Sequence, residues 1–82
     1  SGRDLIDHWL GRLGKAERAI LEALVEAYPL SLRKDELADR TGYAPSGGGF
    51  NNALGRLRTL ELIEGRTELR VSDDLMAQEG ER

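Results

Sequence analysis

Ala44-Pro45-Ser46-Gly47-Gly48-Gly49-Phe50-Asn51-Asn52-Ala53-Leu54-Gly55-Arg56-Leu57-Arg58-Thr59-Leu60 is the stretch whose reading decides the fold. Wound at about 100° per residue, it places Phe50, Ala53, Leu54, Leu57 and Leu60 on one side of a helix. Gly48, Asn52, Gly55, Arg56 and Thr59 fall on the other. The first face can pack into a core; the second is small, amide-bearing and cationic. No carboxylate lies between Ser46 and Leu60, although the chain carries 15 Asp plus Glu against 12 Lys plus Arg. A helix with such an outer side can approach a polyanion closely, as a reader of the DNA major groove must.

The segment before it, Arg33-Lys34-Asp35-Glu36-Leu37-Ala38-Asp39-Arg40-Thr41, is a shorter helical pattern with Leu37 and Ala38 inward. Gly42 closes it, the residue type that takes the left-handed conformation at a helix end most cheaply. Two short helices joined across Gly42-Tyr43-Ala44-Pro45 make a helix-turn-helix. Beyond them, Leu62-Ile63-Glu64 and Glu68-Leu69-Arg70-Val71 are β-like runs separated by Gly65-Arg66-Thr67. Leu69 and Val71 share one face, Glu68 and Arg70 the other, and the short Gly-bearing loop predicts a hairpin.

The N-terminal portion reads as scaffold. Leu5, Ile6, Trp9, Leu10 and Leu13 line one side of a short helix that Gly14 ends. Ala16, Ile20, Leu21, Leu24, Val25 and Tyr28 form the apolar side of a longer helix over 15–28, terminated by Pro29. Leu30-Ser31-Leu32 alternates and predicts a short strand. Ser72 is placed to cap a last helical turn, after which Gly80-Glu81-Arg82 is expected to fray. The opening Ser1-Gly2 reads as a processing scar or a cut from a longer protein. The organisation expected is an N-terminal amphipathic helix over 1–14, a main domain over 15–72 and a tail over 73–82, partly helical or disordered.

Over residues 15–71 this order of elements resembles the winged helix-turn-helix family. The pieces that carry the resemblance are Asp35-Glu36-Leu37-Ala38-Asp39-Arg40-Thr41-Gly42-Tyr43, an acidic-Leu-Ala core before a turn glycine, and Leu57-Arg58-Thr59-Leu60-Glu61-Leu62-Ile63-Glu64, a helix running into the wing. The resemblance implies a mostly helical α+β fold with a small β-hairpin wing, here with an extra N-terminal helix. It also implies a cytoplasmic bacterial or phage parent protein, transcription regulation as the class of output, and double-stranded DNA as partner, with the helix over 46–60 in the major groove.

Asn51 and Asn52 can offer a paired donor and acceptor to adenine edges, and Arg56 can clamp a guanine, so these three are the candidate base contacts. The candidate phosphate contacts are Ser46, Gly47 and Gly48 at the helix start, Arg40, Thr41 and Tyr43 beside the turn, Arg58, and Arg66 at the hairpin tip. Lys34 borders the same flank. Gly47-Gly48-Gly49 admits two readings. Either Ser46 caps the helix and bare backbone receives a phosphate, or the glycines form a loose turn before a helix that begins at Phe50. They are not a P-loop, because no Lys-Ser/Thr follows. Leu5, Ile6, Trp9 and Leu10 are more apolar than so small a domain needs and are candidates for a homodimer or parent-chain contact.

Composition limits the alternatives. Eighty-two residues make one small domain with room for a single core and none for a deep catalytic cleft. Without cysteine there is neither a disulfide nor a thiolate metal site. No apolar run approaches the roughly 20 residues of a membrane span. His8, the only histidine, has no second ligand at metal spacing, and the Asp35-Glu36 and Asp73-Asp74 pairs stand without a nucleophile. No catalysis, metal, cofactor or small-molecule site is therefore expected. The net charge of −3 runs against a uniformly basic DNA-binding surface. The acids, however, gather at Asp4, Asp7, Glu17, Glu22 and Glu26, at Asp35, Glu36 and Asp39, and at Asp73, Asp74, Glu79 and Glu81. The footprint expected is local, and weak from one copy. The alternative is a winged-helix protein–protein or oligomerisation module that does not bind DNA.

Overall fold

A computed structural model describes residues 4–80. The deciding helix forms with its apolar side inward: Phe50, Ala53, Leu54 and Leu57 are all buried, and Leu60 packs half-buried against them. The element order is α1 (Asp4–Leu10), α2 (Lys15–Ala27), β1 (Leu32–Arg33), α3 (Lys34–Thr41), α4 (Gly48–Thr59), β2 (Ile63–Glu64), β3 (Glu68–Val71) and α5 (Asp73–Gly80). This is a mostly helical α+β fold of winged-helix-like topology. Its antiparallel sheet has the order β1-β3-β2, with Leu32 opposite Leu69 and Ile63 opposite Val71. Leu32, Ile63, Leu69 and Val71 are buried, so the alternation read from the sequence sets which side of the hairpin faces the helices.

α2 is the spine. Its Ile20, Leu21 and Leu24 are fully buried, and the helix packs against α3, α4 and β3. Spacing of three and four residues puts these side chains on one stripe, which is what lets one helix serve three neighbours. α5 lies against α1, sealing the core from the other side with Leu75. Ile6 and Leu10, expected at an oligomer or parent-chain contact, are 1% and 9% exposed and belong to the chain's own core. Leu5 and Trp9 remain half-buried at its edge.

Several boundaries differ from expectation for local reasons. α1 stops at Leu10, and Gly14 begins α2 instead of ending α1: its N–H donates to Glu17 Oε1 at 3.0 Å. Leu13 is buried from the intervening turn. The first strand is Leu32–Arg33, not 30–32, because Leu30 N–H turns back to the Ala27 carbonyl and leaves the residue 70% exposed. α5 runs from Asp73 to Gly80, and Ser72 Oγ accepts from the Leu75 N–H at 3.4 Å. Ser1-Gly2 and Glu81-Arg82 lie outside the described residues.

Two helices end in the same way with different residues. At the end of α3, Gly42 has φ +83°, Tyr43 N–H donates to the Ala38 carbonyl, and Gly42 N–H reaches Asp39. At the end of α4, Glu61 takes φ +64°, Leu62 N–H donates to the Leu57 carbonyl at 3.0 Å, and Glu61 N–H to that of Arg58 at 2.9 Å. Both are Schellman closures, and at the end of α4 the apolar contact that accompanies the motif is available from buried Leu57 and Leu62. A Cβ in the left-handed region is strained, so Glu61 costs stability that glycine would not.

A polar cluster ties α5 to the sheet and to α2. Arg70 bonds Glu64 at 2.8 Å and Asp73 at 2.9 Å, Tyr28 Oη donates to Asp73 Oδ1 at 3.1 Å, and the Arg70 guanidinium sits 5.8 Å from the Tyr28 ring centre. The Arg70 bond, then the Tyr28 bond, holds the Asp73 carboxyl below the usual carboxylate range. A depressed folded-state pKa contributes stability above the unfolded value, and that contribution disappears as pH falls through the folded one.

Glu61→Gly is expected to raise stability by about 1 kcal/mol and Gly42→Ala to lower it by about as much, both read by urea unfolding. Acidification through and below the ordinary aspartate range is expected to loosen α5, followed by the NMR shifts of Leu75 and Tyr28. Asp73→Asn should remove that acid step while Asp74→Asn leaves it in place.

Candidate nucleic-acid interface

The start of α4 is built by its own turn. Gly47 is the residue that caps the helix, in extended conformation and with no side-chain cap bond; Ser46 does not cap it. The helix begins at Gly48, one residue into the glycine triplet, so neither sequence reading placed its start correctly. Gly47 N–H is occupied by the Ala44 carbonyl at 3.0 Å, which removes it as a phosphate donor. The first bond within the helix is Asn51 N–H to Gly47 O, so the amides of Gly48, Gly49 and Phe50 precede the ladder. No acidic side chain stands in that first turn.

Asn51 does not stand out from the helix as a base reader. Its side-chain Nδ2 donates to Pro45 O at 3.0 Å and Gly47 O at 2.8 Å, closing the turn that leads into α4. Reading adenine needs a free donor beside a free acceptor, and the donor here is committed. Thr41 Oγ1 similarly donates back to Leu37 O at 2.9 Å, and half-buried Tyr43 stacks on Phe50 with centroids 6.4 Å apart. Both residues support the turn between α3 and α4.

The outer face of α4 is bare. Asn52, Arg56 and Thr59 are exposed along it, and a Cβ added at Gly48, Gly49 or Gly55 would meet nothing within 4 Å. No neighbour among the described residues requires glycine at these positions, although Gly55, inside the helix, costs stability relative to alanine. Beside this face runs a groove of about 330 Å³ lined by Gly14, Lys15, Glu17, Gly49, Asn52 and Arg56, among others. The start of α2 forms its far wall. There Arg56 Nε lies 3.4 Å from Glu17 Oε2, with the arginine side chain 62% exposed and the glutamate 17%.

On the other side stands the hairpin. Gly65 has φ +102°, and a Cβ there would collide with the Glu68 carbonyl, so the turn needs glycine. Arg58 Nη1 donates to Gly65 O at 3.1 Å, fastening the hairpin turn to α4. Arg66 is exposed at the tip with no partner among the described residues. A larger groove, about 610 Å³, separates the hairpin from the helix-turn-helix and is lined by Arg33, Lys34, Asp35, Pro45, Ser46, Thr67 and Glu68. Arg40 pairs with Glu36 at 3.6 Å and Arg33 with Asp35 at 3.5 Å. Lys15, Lys34, Arg58 and Arg66 have no carboxylate partner among the described residues; Lys15 lies on one side of α4, Lys34 and Arg66 on the other, and Arg58 on α4 itself.

Lys15 and Glu17 escaped the sequence reading. The glutamate three residues after Gly14 signals a carboxylate held at a helix start. Only the packing of α2 on α4 reveals that this carboxylate meets Arg56. Acid-free in sequence is thus not acid-free in space. No group of His, Cys, Asp and Glu suited to a metal ion occurs among the described residues, and no helix there is long and apolar enough to cross a membrane. No protein-family model, curated protein or solved structure gives a significant match to this chain.

Proposed function

We propose that the chain is a winged helix-turn-helix DNA-binding module of a larger bacterial or phage protein, with α4 in the major groove. The observation that carries this reading is the outer face of α4, where three glycines that the fold does not require adjoin exposed Asn52 and Arg56. Bare backbone on a helix lets a partner come close, and the partner favoured is one whose phosphates suit the flanking Lys15, Lys34 and Arg66. Asn52 and Arg56 read base edges. Arg66, Lys34 and the free amides at the start of α4 hold phosphates. Arg58 and Asn51 hold the reading helix in place. The reading involves no catalysis and no cofactor.

The net charge of −3 and the Glu17–Arg56 pair favour a second reading, a module that docks on protein. Salt separates the two, because each phosphate contact lowers log K by about 0.9 per decade of salt, whereas an apolar interface responds little. Fluorescence titration with a random-sequence duplex is expected to give micromolar binding at about 50 mM salt that collapses by about 200 mM. Arg56→Glu should abolish it; absence of binding at the lower salt would leave the protein-docking reading. Arg66→Ala is expected to weaken all sequences alike and reduce the salt slope by about 1. Gly55→Ala should raise stability by about 0.5–1 kcal/mol in urea unfolding. If a duplex approaches this face, the same change weakens binding about tenfold, equivalent to ~1.4 kcal/mol of lost contact.

A further inference from the structure

Resting on the DNA-binding reading, we infer that Glu17 is a built-in brake on that site: it holds Arg56 in an intramolecular pair, so duplex of random sequence must first displace a carboxylate. The geometry gives this residue two tasks. Oε1 accepts the Gly14 N–H at 3.0 Å, which fixes the side chain at the start of α2. Oε2 lies 3.4 Å from Arg56 Nε across the groove. The carboxylate is thus anchored and mostly covered, while the guanidinium opposite it is mostly exposed and free to swing away.

An anion fixed 3.4 Å from the central cation of the reading face acts in two ways. It repels phosphates entering the groove, and it supplies a competing partner for the guanidinium. A phosphate met at random offers Arg56 little more than Glu17 already does. A guanine offers two parallel bonds to O6 and N7, a geometry the single contact to Glu17 does not match. Glu17 therefore lowers binding to random sequence more than binding to a matched site, so it sets specificity through Arg56 without touching DNA. Lys15 lines the same groove and has no carboxylate partner among the described residues, so it is a cation available to Glu17 once Arg56 departs.

The test compares parent, Glu17→Gln, Arg56→Gln and the double variant on a random-sequence duplex across a salt series. Glutamine keeps an oxygen for the Gly14 N–H and removes the charge, so unfolding by urea should be little changed. Glu17→Gln is expected to bind about fivefold tighter, the scale of an exposed pair. Its salt slope should steepen by about 0.9, one phosphate contact. The gain should shrink in the Arg56→Gln background. Glu17→Asp keeps the charge and withdraws it by one methylene; it should fall between parent and Glu17→Gln, and it serves as the second variant if glutamine disturbs the fold. Parent binding that neither variant strengthens would overturn the brake and leave the DNA reading standing. Absence of binding by parent and both Glu17 variants at low salt would remove the DNA reading and the brake together.

Discussion

The burial of α2 is the constraint on which the rest of the molecule depends. Ile20, Leu21 and Leu24 occupy the centre, and α3, α4 and β3 are positioned by what those side chains leave them to fill. The short helices α3 and α4, of 8 and 12 residues, are too short to hold their shape alone in water, so their geometry is a property of this packing. α4 is the extreme case. With three glycines in its sequence, its intrinsic helix propensity is poor, and four buried side chains keep it formed. A change in α2 therefore reaches the outer face of α4 even though no α2 core residue touches solvent.

Much of this was legible in the sequence, for identifiable reasons. Amphipathic spacing gave the inward faces of α2, α3 and α4, Gly42 gave the end of α3, and alternation around Gly65 gave the hairpin and its buried side. Each of those signals is local. The helix end at Glu61 was hidden, because a residue other than glycine adopts the left-handed conformation there and leaves no compositional mark. The first strand begins later than the apolar pattern suggests, because Leu30 counts as apolar in that pattern while the chain is still turning out of α2.

The candidate site was less legible than the fold. Which side of α4 faces outward follows from a 100° rule, yet the fate of each polar group on it depends on neighbours distant in sequence or on the local turn. Asn51 is drawn back to carbonyls of its own turn, Arg58 is taken by a wing carbonyl seven residues on, and Arg56 meets a glutamate from another helix. Of the three residues the sequence offers as candidate base contacts, Asn52 alone remains exposed and free of a partner among the described residues. Polar side chains reach several ångströms and choose the best partner within that radius, so their roles are set by tertiary proximity.

The sheet has a further consequence for how copies of this chain meet. Its longest strand, β3, is in the middle, and each outer strand has only two residues. The outward-facing residues on those margins are Arg33 and Glu64, both charged. An edge so short offers too few unpaired backbone groups to template another strand, and the charges disfavour stacking. Fibrillar growth by strand addition is thereby suppressed in the folded state, and self-association of the folded domain is left to side-chain surfaces such as the one where Leu5 and Trp9 are partly uncovered.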